Sequence, residues 1–333
     1  DFVPSRGLGD VYKRQNYLLA RENLTDHLEK KDKTNKIRQR LLKIRAKKVI
    51  LATGALERPM VFNNNDRPGI MLSSAIKKYS DFYGVACGRK IVFFTNNDSA
   101  YESALSLNDK GIQVEAVVDI RKQSETNLEK RVIDAGVKIY WEHTVVDTSG
   151  YKRLNNVSIM KLSNDGTSVT GNKISISCDC LGVAGGWTPA VHLYTQSGNK
   201  LTFDEDKKIF IPNKNNSNQI SVGSCCGDFK LDEILKNLNE KLKDFLDITK
   251  TDFENITVNN DQEISKRNIW LLPSDKALGK TRPFVDYQND ATAKDIKLAL
   301  REGFRSIEHV KRYTTTGMGT DQGKLGNMHA LGI

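Results

Sequence analysis

Apolar positions along this chain follow two rhythms. From Gly88 the run GRKIVFF is almost continuously apolar, as a strand buried on both faces requires. AYESALSLNDKGI then places its apolar residues at helical spacing and closes on Gly111, and VEAVVD follows as a second strand ending in an acid. Strand, helix and strand make a βαβ unit. Upstream, residues 16 to 48 read as two short strands around a polar excursion, and Val49 to Ala52 as a buried parallel strand ended by Thr53 and Gly54. NNNDRPG, Asn63 to Gly69, reads as a linker, and a helix is expected over Ser73 to Tyr83.

Downstream of the βαβ unit a strand is expected over Val137 to Asp147, followed by a hairpin of SIMKL and KISISCDCLGV. GVAGGWTPAVHLY, a strand QISVGSCCGD at Gln219 to Asp228 and a helix from Leu231 to Phe245 come next. A strand ending in A-T-G, an inserted βαβ domain, a G-G-x-x-P segment and a last strand running into a glycine-rich helix start are each common. In this order they predict an α/β fold, the two-dinucleotide-binding-domain flavoprotein architecture of the glutathione-reductase type. The expected division is 16–86 with 178–267 as the outer domain, 87–177 as the inserted Rossmann-like domain and 268–333 as a small helical domain. The helical domain is expected to hold a pair of short helices, the first capped at Thr292 with Asp295 in its first turn.

Composition narrows the class. The chain has 333 residues and is 38% hydrophobic, enough for more than one core. No apolar run is long enough for a membrane span and no signal-peptide pattern is present, so a soluble cytoplasmic protein is expected, with no membrane partner. The net charge of +10 and the basic run from Glu29 to Lys48 invite a nucleic-acid reading. Ile37, Leu41, Leu42 and Ile44 instead punctuate that run as one face of a solvated strand pair, without an aromatic platform, so no nucleic-acid partner is expected. Five cysteines make no disulfide framework, and alternation places Cys178 and Cys180 on one face of one strand as buried thiols; no metal site is expected. The first fifteen residues resemble translated sequencing-adapter sequence and are read as a non-native leader, and both ends look cut.

The chemistry turns on the strand-to-helix turn of the βαβ unit. Such turns carry G-x-G-x-x-G because glycine lets backbone amides approach a pyrophosphate at the helix N-terminus. Here the turn is Thr95, Asn96, Asn97, Asp98, Ser99, with an added carboxylate. Asn96 and Asn97 are expected in turn or left-handed conformations, and Ser99 or Asp98 is expected to cap the helix, leaving no amides for a phosphate. The inserted domain is therefore read as one that has lost its nucleotide.

ATGALERPMVFNNNDRPGIMLSSA, TNNDSAYESAL, AGGWTPAVHL, FVDYQNDATAKDI and REGFRSIEHVKRYTTTGMGTDQGK together resemble the alpha subunits of heterotetrameric sarcosine oxidases, from about Asn16 to the end of the chain. The upstream G-x-G-x-x-G unit and the downstream folate-binding domain of that family are absent from this sequence. In ferredoxin-like relatives the helical domain holds a [2Fe-2S] cluster; here FVDYQND, Thr320 and Gly326 stand near the cysteine positions, so no cluster is expected. The resemblance implies an oxidoreductase in which sarcosine becomes glycine, hydrogen peroxide and formaldehyde or methylene-tetrahydrofolate. It implies FAD and the substrate site in a beta subunit, FMN at the alpha/beta interface, NAD in alpha, and gamma and delta subunits as further partners.

On that reading the chain holds cofactor and has no catalytic residues of its own. NAD is expected at Thr53, Gly54, Gly223, Ser224, Cys225, Cys226, Gly227, Asp228 and Leu231, for the two cysteines with packing as an equal reading. Gly317, Gly319 and Lys324, with Lys311 or Arg312, are candidates for the flavin interface, against the simpler reading of a turn between helices. His192 and His309 are read as packing or interface residues rather than bases. The competing readings are the alpha subunit of a related FAD-dependent amine, opine or proline dehydrogenase, and a nucleotide-free scaffold.

Overall fold

The structure is a computed structural model, described here for residues 17–33, 36–213, 218–248, 256 and 267–333. The stretch read as a leader lies outside the described residues. The chain forms two compact units, Asp1–Ala55 with Thr188–Asn260, and Leu56–Trp187 with Asp261–Ile333.

In the first unit Tyr17–Asn23 and Gln39–Arg45 form the expected antiparallel ribbon. Val49–Leu51 runs parallel to Gln219–Ser221, with Leu51 opposite Ser221, so two strand ends lie side by side. Helix Leu231–Leu246 covers this pair through Leu238, Leu242 and Phe245, which meet Ile220 and Val222.

The second unit is built on a five-stranded parallel sheet. Its order is Ile70–Leu72, Cys180–Ala184, Lys90–Thr95, Gln113–Asp119, Lys138–Trp141. The central strand is apolar from Ile91 to Phe94 because both of its faces are covered there. Ile91 and Phe93 enter one core with Ile76, Tyr101, Leu107 and Val132 of the helices Ser73–Tyr83, Ser99–Asn108 and Asn127–Asp134. Val92 and Phe94 enter a second core with Val145, Ile159 and Leu162 of the antiparallel meander His143–Ser149, Asn156–Leu162, Val169–Ser177. Gly182 is required here, since a Cβ would lie 2.5 Å from the Phe93 ring.

Several expectations shift. In place of breaks at 86/87 and 177/178, strand Ile70–Leu72, helix Ser73–Tyr83 and strand Cys180–Ala184 belong to the inserted sheet, so the units divide at 55/56 and 187/188. The helical segment expected as a domain of its own falls within the second unit. The strand expected over Val137 to Asp147 is two strands, broken at Glu142, whose φ of 54° cannot continue a strand. That kink moves the chain from the parallel sheet into the meander. Cys178 and Cys180 do not share a face: Cys178 joins the meander core and Cys180 the helix-side core, because the chain leaves one sheet at Ser177 and enters the other at Cys180. Both thiols are free, and burial pushes each up to about 12.

The segment NNNDRPG is no linker. Asn63 donates to Asp147 (2.9 Å) and accepts from the Arg282 amide (2.8 Å). Asn65 exchanges hydrogen bonds with the Phe284 amide and carbonyl (2.8 and 2.9 Å) and donates to the Tyr287 hydroxyl (3.0 Å). Together they staple the sheet to the carboxyl-terminal segment. That segment is a hairpin, Phe284–Asp286 with Ala291–Thr292, followed by helices Ala293–Arg301, Ile307–Thr314 and Asn327–Gly332 around Val61, Val285, Ile296 and Val310. Thr292 caps the first helix as expected, and Asp295 closes a capping box with it.

Candidate nucleotide sites

In an open parallel sheet, ligands bind beyond the carboxyl ends of the strands. In the second unit that edge is filled by protein. Thr95, Asn96, Asn97 and Asp98 are all buried. The Asn97 carboxamide oxygen accepts from the Ser99 amide (3.1 Å) and hydroxyl (2.6 Å), while its nitrogen donates to the Ala184 carbonyl (3.1 Å). The cap of helix Ser99–Asn108 is thus supplied by Asn97, a correction to the expected Ser99 or Asp98; Asp98 itself has helical backbone angles and makes no side-chain cap. Neither asparagine adopts positive φ.

The Asp98 carboxylate turns instead to Arg121, at 2.7 Å. Arg121 also grips Asp119, the acid ending the second strand of the βαβ unit, at 2.7 Å, and Asp119 accepts from the Tyr101 hydroxyl at 2.8 Å. The Arg121 guanidinium lies 5.8 Å from the Tyr101 ring centre. A nucleotide-binding βαβ unit keeps its glycine turn for phosphates and the acid of its second strand for a ribose. Here one arginine ties those two positions together. Burial opposes its charge, but the Asp119 and Asp98 carboxylates outweigh burial and drive the arginine above its ordinary value. Arg121 escaped the sequence reading; the only signal is the D-I-R spacing just after the strand.

A second buried polar group lies at the same edge. Glu57 accepts from the Ser74 amide (2.8 Å) and hydroxyl (2.6 Å), and burial raises its carboxyl to about 7. Arg58 stacks on Trp270, its guanidinium 5.2 Å from the ring centre, and burial lowers it to about 10. His329 donates from Nε2 to the Pro59 carbonyl (2.9 Å), with burial and then Arg58 lowering its pKa to about 4. The double glycine of AGGW makes room for this segment: Gly185 and Gly186 exchange backbone bonds with Arg58, both 2.8 Å, and a Cβ on either would strike Pro59 or Arg58. Among the described residues no group of three metal-ligating side chains occurs, and no helix is long and apolar enough to cross a membrane.

The first unit keeps its strand ends open. Thr53 donates to the Ala190 carbonyl (2.6 Å), fixing the turn after Val49–Leu51. Gly54 has φ of 72° and nothing within 4 Å of where a Cβ would stand; Gly223 has φ of 73° and only Ile234 at 3.8 Å. Gly223, Ser224, Cys225 and Cys226 form a 3-10 turn closed by Gly227, whose φ of 82° disfavours a side chain and where a Cβ would stand 3.0 Å from Ile209 and 3.1 Å from Ile211. The Cys225 thiol is buried 3.1 Å from the Val222 carbonyl and 3.3 Å from that of Leu51, which is packing under the turn. Lys241 reaches the Cys226 sulfur at 3.6 Å. Asp228 precedes helix Leu231–Leu246, whose N-terminus has no side-chain cap and starts at the exposed Leu231. Two adjacent strand ends, two open glycines and an uncapped helix start fit a nucleotide here; Asp232 and Glu233 in the first helical turn favour a hydroxyl-bearing ribose over a bare phosphate.

The loop Thr316 to Lys324 folds back on its own unit. The Gly317 amide donates to Asp286 (2.6 Å), that of Thr320 to Gln288 (2.5 Å) and that of Gly323 to Asp321 (3.0 Å). Side chains at Gly317 or Gly319 would overlap Asn327 or Gln288. The expected backbone cradle is therefore occupied by protein acceptors, and Lys324 remains as an exposed side chain.

These features define a flavoprotein-reductase fold whose second dinucleotide site is filled by its own residues. The chain belongs to the pyridine nucleotide-disulphide oxidoreductase family, which its residues 8–221 match. Residues 280–333 match the sarcosine oxidase A3 domain. Two curated relatives, each a "Sarcosine oxidase subunit alpha", extend the match: that of Corynebacterium sp. (strain P-1) is 37% identical over 327 residues, 96% of this chain and 33% of its own length. That of Rhizobium meliloti (strain 1021) is 35% identical over 306 residues, 89% of this chain and 29% of its own. The resemblance to sarcosine oxidase alpha subunits thus holds along nearly the whole chain, which spans about a third of the length of these relatives. The L-proline dehydrogenase of P. horikoshii shares the fold, with a TM-score of 0.59 at 21% identity over 95% of this chain and 56% of that one.

Proposed function

We propose that this chain is a portion of the alpha subunit of a sarcosine oxidase complex and that it holds NAD in its first unit. The observation that carries the placement is the contrast between the two sheet edges: one closed by the Arg121 cluster, the other open at Gly54 and Gly223. NAD would lie over Thr53 and Gly54 and against the turn Gly223 to Asp228, with Leu231 at its rim. FAD and the oxidation of sarcosine, a CH–NH donor, would belong to a beta subunit, and FMN to the interface with it; such a flavin supplies electron acceptance. This chain's contribution there would be charge, from Lys324, Lys311 and Arg312, since the loop amides at Gly317 and its neighbours are taken up.

The test is a cofactor inventory of the full-length parent complex, denatured after purification. NAD released in stoichiometric amount, with FAD and a covalently held FMN and no iron, supports this reading. FAD with iron and no NAD supports the dehydrogenase relative, and a cofactor-free complex supports a scaffold.

A further inference from the structure

The amino edge of the five-stranded sheet, opposite the Arg121 cluster, presents a surface that the functional reading leaves unused. Arg89 and Lys90 enter the central strand there, Asp179 enters its neighbour, and the turn Gly150 to Asn155 of the meander closes over them. Between these segments is a cleft of about 530 Å³, lined by Arg89, Lys90, Tyr151, Lys152, Arg153 and Asp179 among others. Its one carboxylate is engaged internally, accepting from the Arg89 and Lys90 amides, both at 2.9 Å. Lys90 faces Glu115 at 3.6 Å. Among the described residues, Arg89, Lys152 and Arg153 enter no ion pair, although Arg153 helps hold Asp179 below its ordinary value, its main supports being the two amides.

Six residues before Arg89, helix Ser73–Tyr83 ends in a cluster of exposed rings. Phe82 is 76% and Tyr83 58% exposed, with Val85 at 50%. Phe82 meets Tyr83 edge-on at 4.9 Å between ring centres. Tyr151, on the cleft rim, is 95% exposed. Water-facing aromatics and exposed arginines along one sheet edge are the composition of interface hot spots, and leaving the rings in water gains nothing for the isolated fold.

We propose that this edge docks an acidic segment of a partner subunit, its carboxylates in the Arg89–Arg153 cleft and its apolar side chains on Phe82 and Tyr83. A second copy of this chain does not suit it, since a two-fold contact would set the basic cleft against itself. The proposal rests on the reading of the chain as a subunit, but on none of its cofactor assignments.

The test copurifies the tagged full-length parent chain with the subunits encoded beside it, at about 0.05 and about 0.5 M salt, where rim charge pairs are respectively felt and screened. It compares the wild type with Arg89→Glu/Arg153→Glu, with Phe82→Ser, and with the control Lys297→Glu/Arg305→Glu, which changes net charge equally. The expected result is that one subunit binds about tenfold or more weakly to the first variant, detectably more weakly to Phe82→Ser, and unchanged to the control. All subunits retained by every variant overturns the docking site while the complex itself stands. No subunit retained even by the wild type overturns the subunit reading and the docking site together. Retention of single-stranded DNA or inorganic phosphate that the first variant loses, with all subunits still bound, also overturns it.

Discussion

Arg121 sits 2.7 Å from Asp98 and 2.7 Å from Asp119, joining a phosphate-turn position to the acid of the neighbouring strand. Both carboxylates are buried, and although Asp119 also accepts from the Tyr101 hydroxyl and the Arg121 amide, the guanidinium between them is their shared countercharge. Replacing Arg121 by methionine leaves two buried acids facing each other. It should destabilise the second unit by about 3–5 kcal/mol, read as a lowered denaturation midpoint with unchanged slope. Asp98→Asn keeps a hydrogen-bonding partner and should cost clearly less.

Two buried groups give this unit opposing pH dependences. Glu57 is raised to about 7 from an ordinary value near 4.5, so the folded state holds its proton longer than the unfolded chain does. Its contribution falls as pH rises from about 4.5 to 7, by up to about 3 kcal/mol. His329 is lowered to about 4 from 6.5, so its contribution is full above pH 6.5 and lost as pH falls towards 4. Thermal melts of Glu57→Gln, which keeps an acceptor for Ser74, should lose the decline on the alkaline side. His329→Gln should lose the decline on the acid side. Parallel curves for wild type and both variants would contradict the burial argument.

The double glycine separates packing from binding. Gly185 has no positive φ, so Gly185→Ala acts through the clash with the Pro59 carbonyl alone and should destabilise by about 1–3 kcal/mol. Nucleotide content per folded molecule should stay as in the wild type.

Asn65 makes four hydrogen bonds, one to the Met60 carbonyl within its own segment and three that tie that segment to the hairpin at Phe284 and Tyr287. Asn65→Ala strips partners from the Phe284 amide and carbonyl and should cost about 2–3 kcal/mol. Hydrogen exchange should rise in the helices Ala293–Arg301 and Ile307–Thr314 before it rises in the parallel sheet.

The order of elements was legible because buried parallel strands and amphipathic helices write their periods plainly: Ser73–Tyr83 and the cap at Thr292 lie where the residues predict them. Boundaries were less so. NNNDRPG has the composition of a loop, and only its partners at Asp147, Arg282 and Phe284, more than eighty residues away, show it to be a buried staple. The glycine-free turn was legible in the sequence, but Arg121 was not, since it acts across the sheet edge and the D-I-R spacing after the strand is its one local signal. Glu57, Arg58 and His329 were missed for the same reason, their partners being distant in sequence: Ser74 for Glu57, Trp270 for Arg58 and Pro59 for His329.

The placement of the nucleotide is tested most directly by its content in variants of each edge. In the full-length parent complex, bound NAD is measured by mass spectrometry after denaturation for the wild type, Gly223→Val and Asp98→Asn. NAD is expected in the wild type and in Asp98→Asn, and its loss is expected from a still-folded Gly223→Val, where a side chain would enter the open strand end. NAD kept by Gly223→Val and lost from Asp98→Asn would place the nucleotide at the Arg121 edge and contradict its assignment to the first unit.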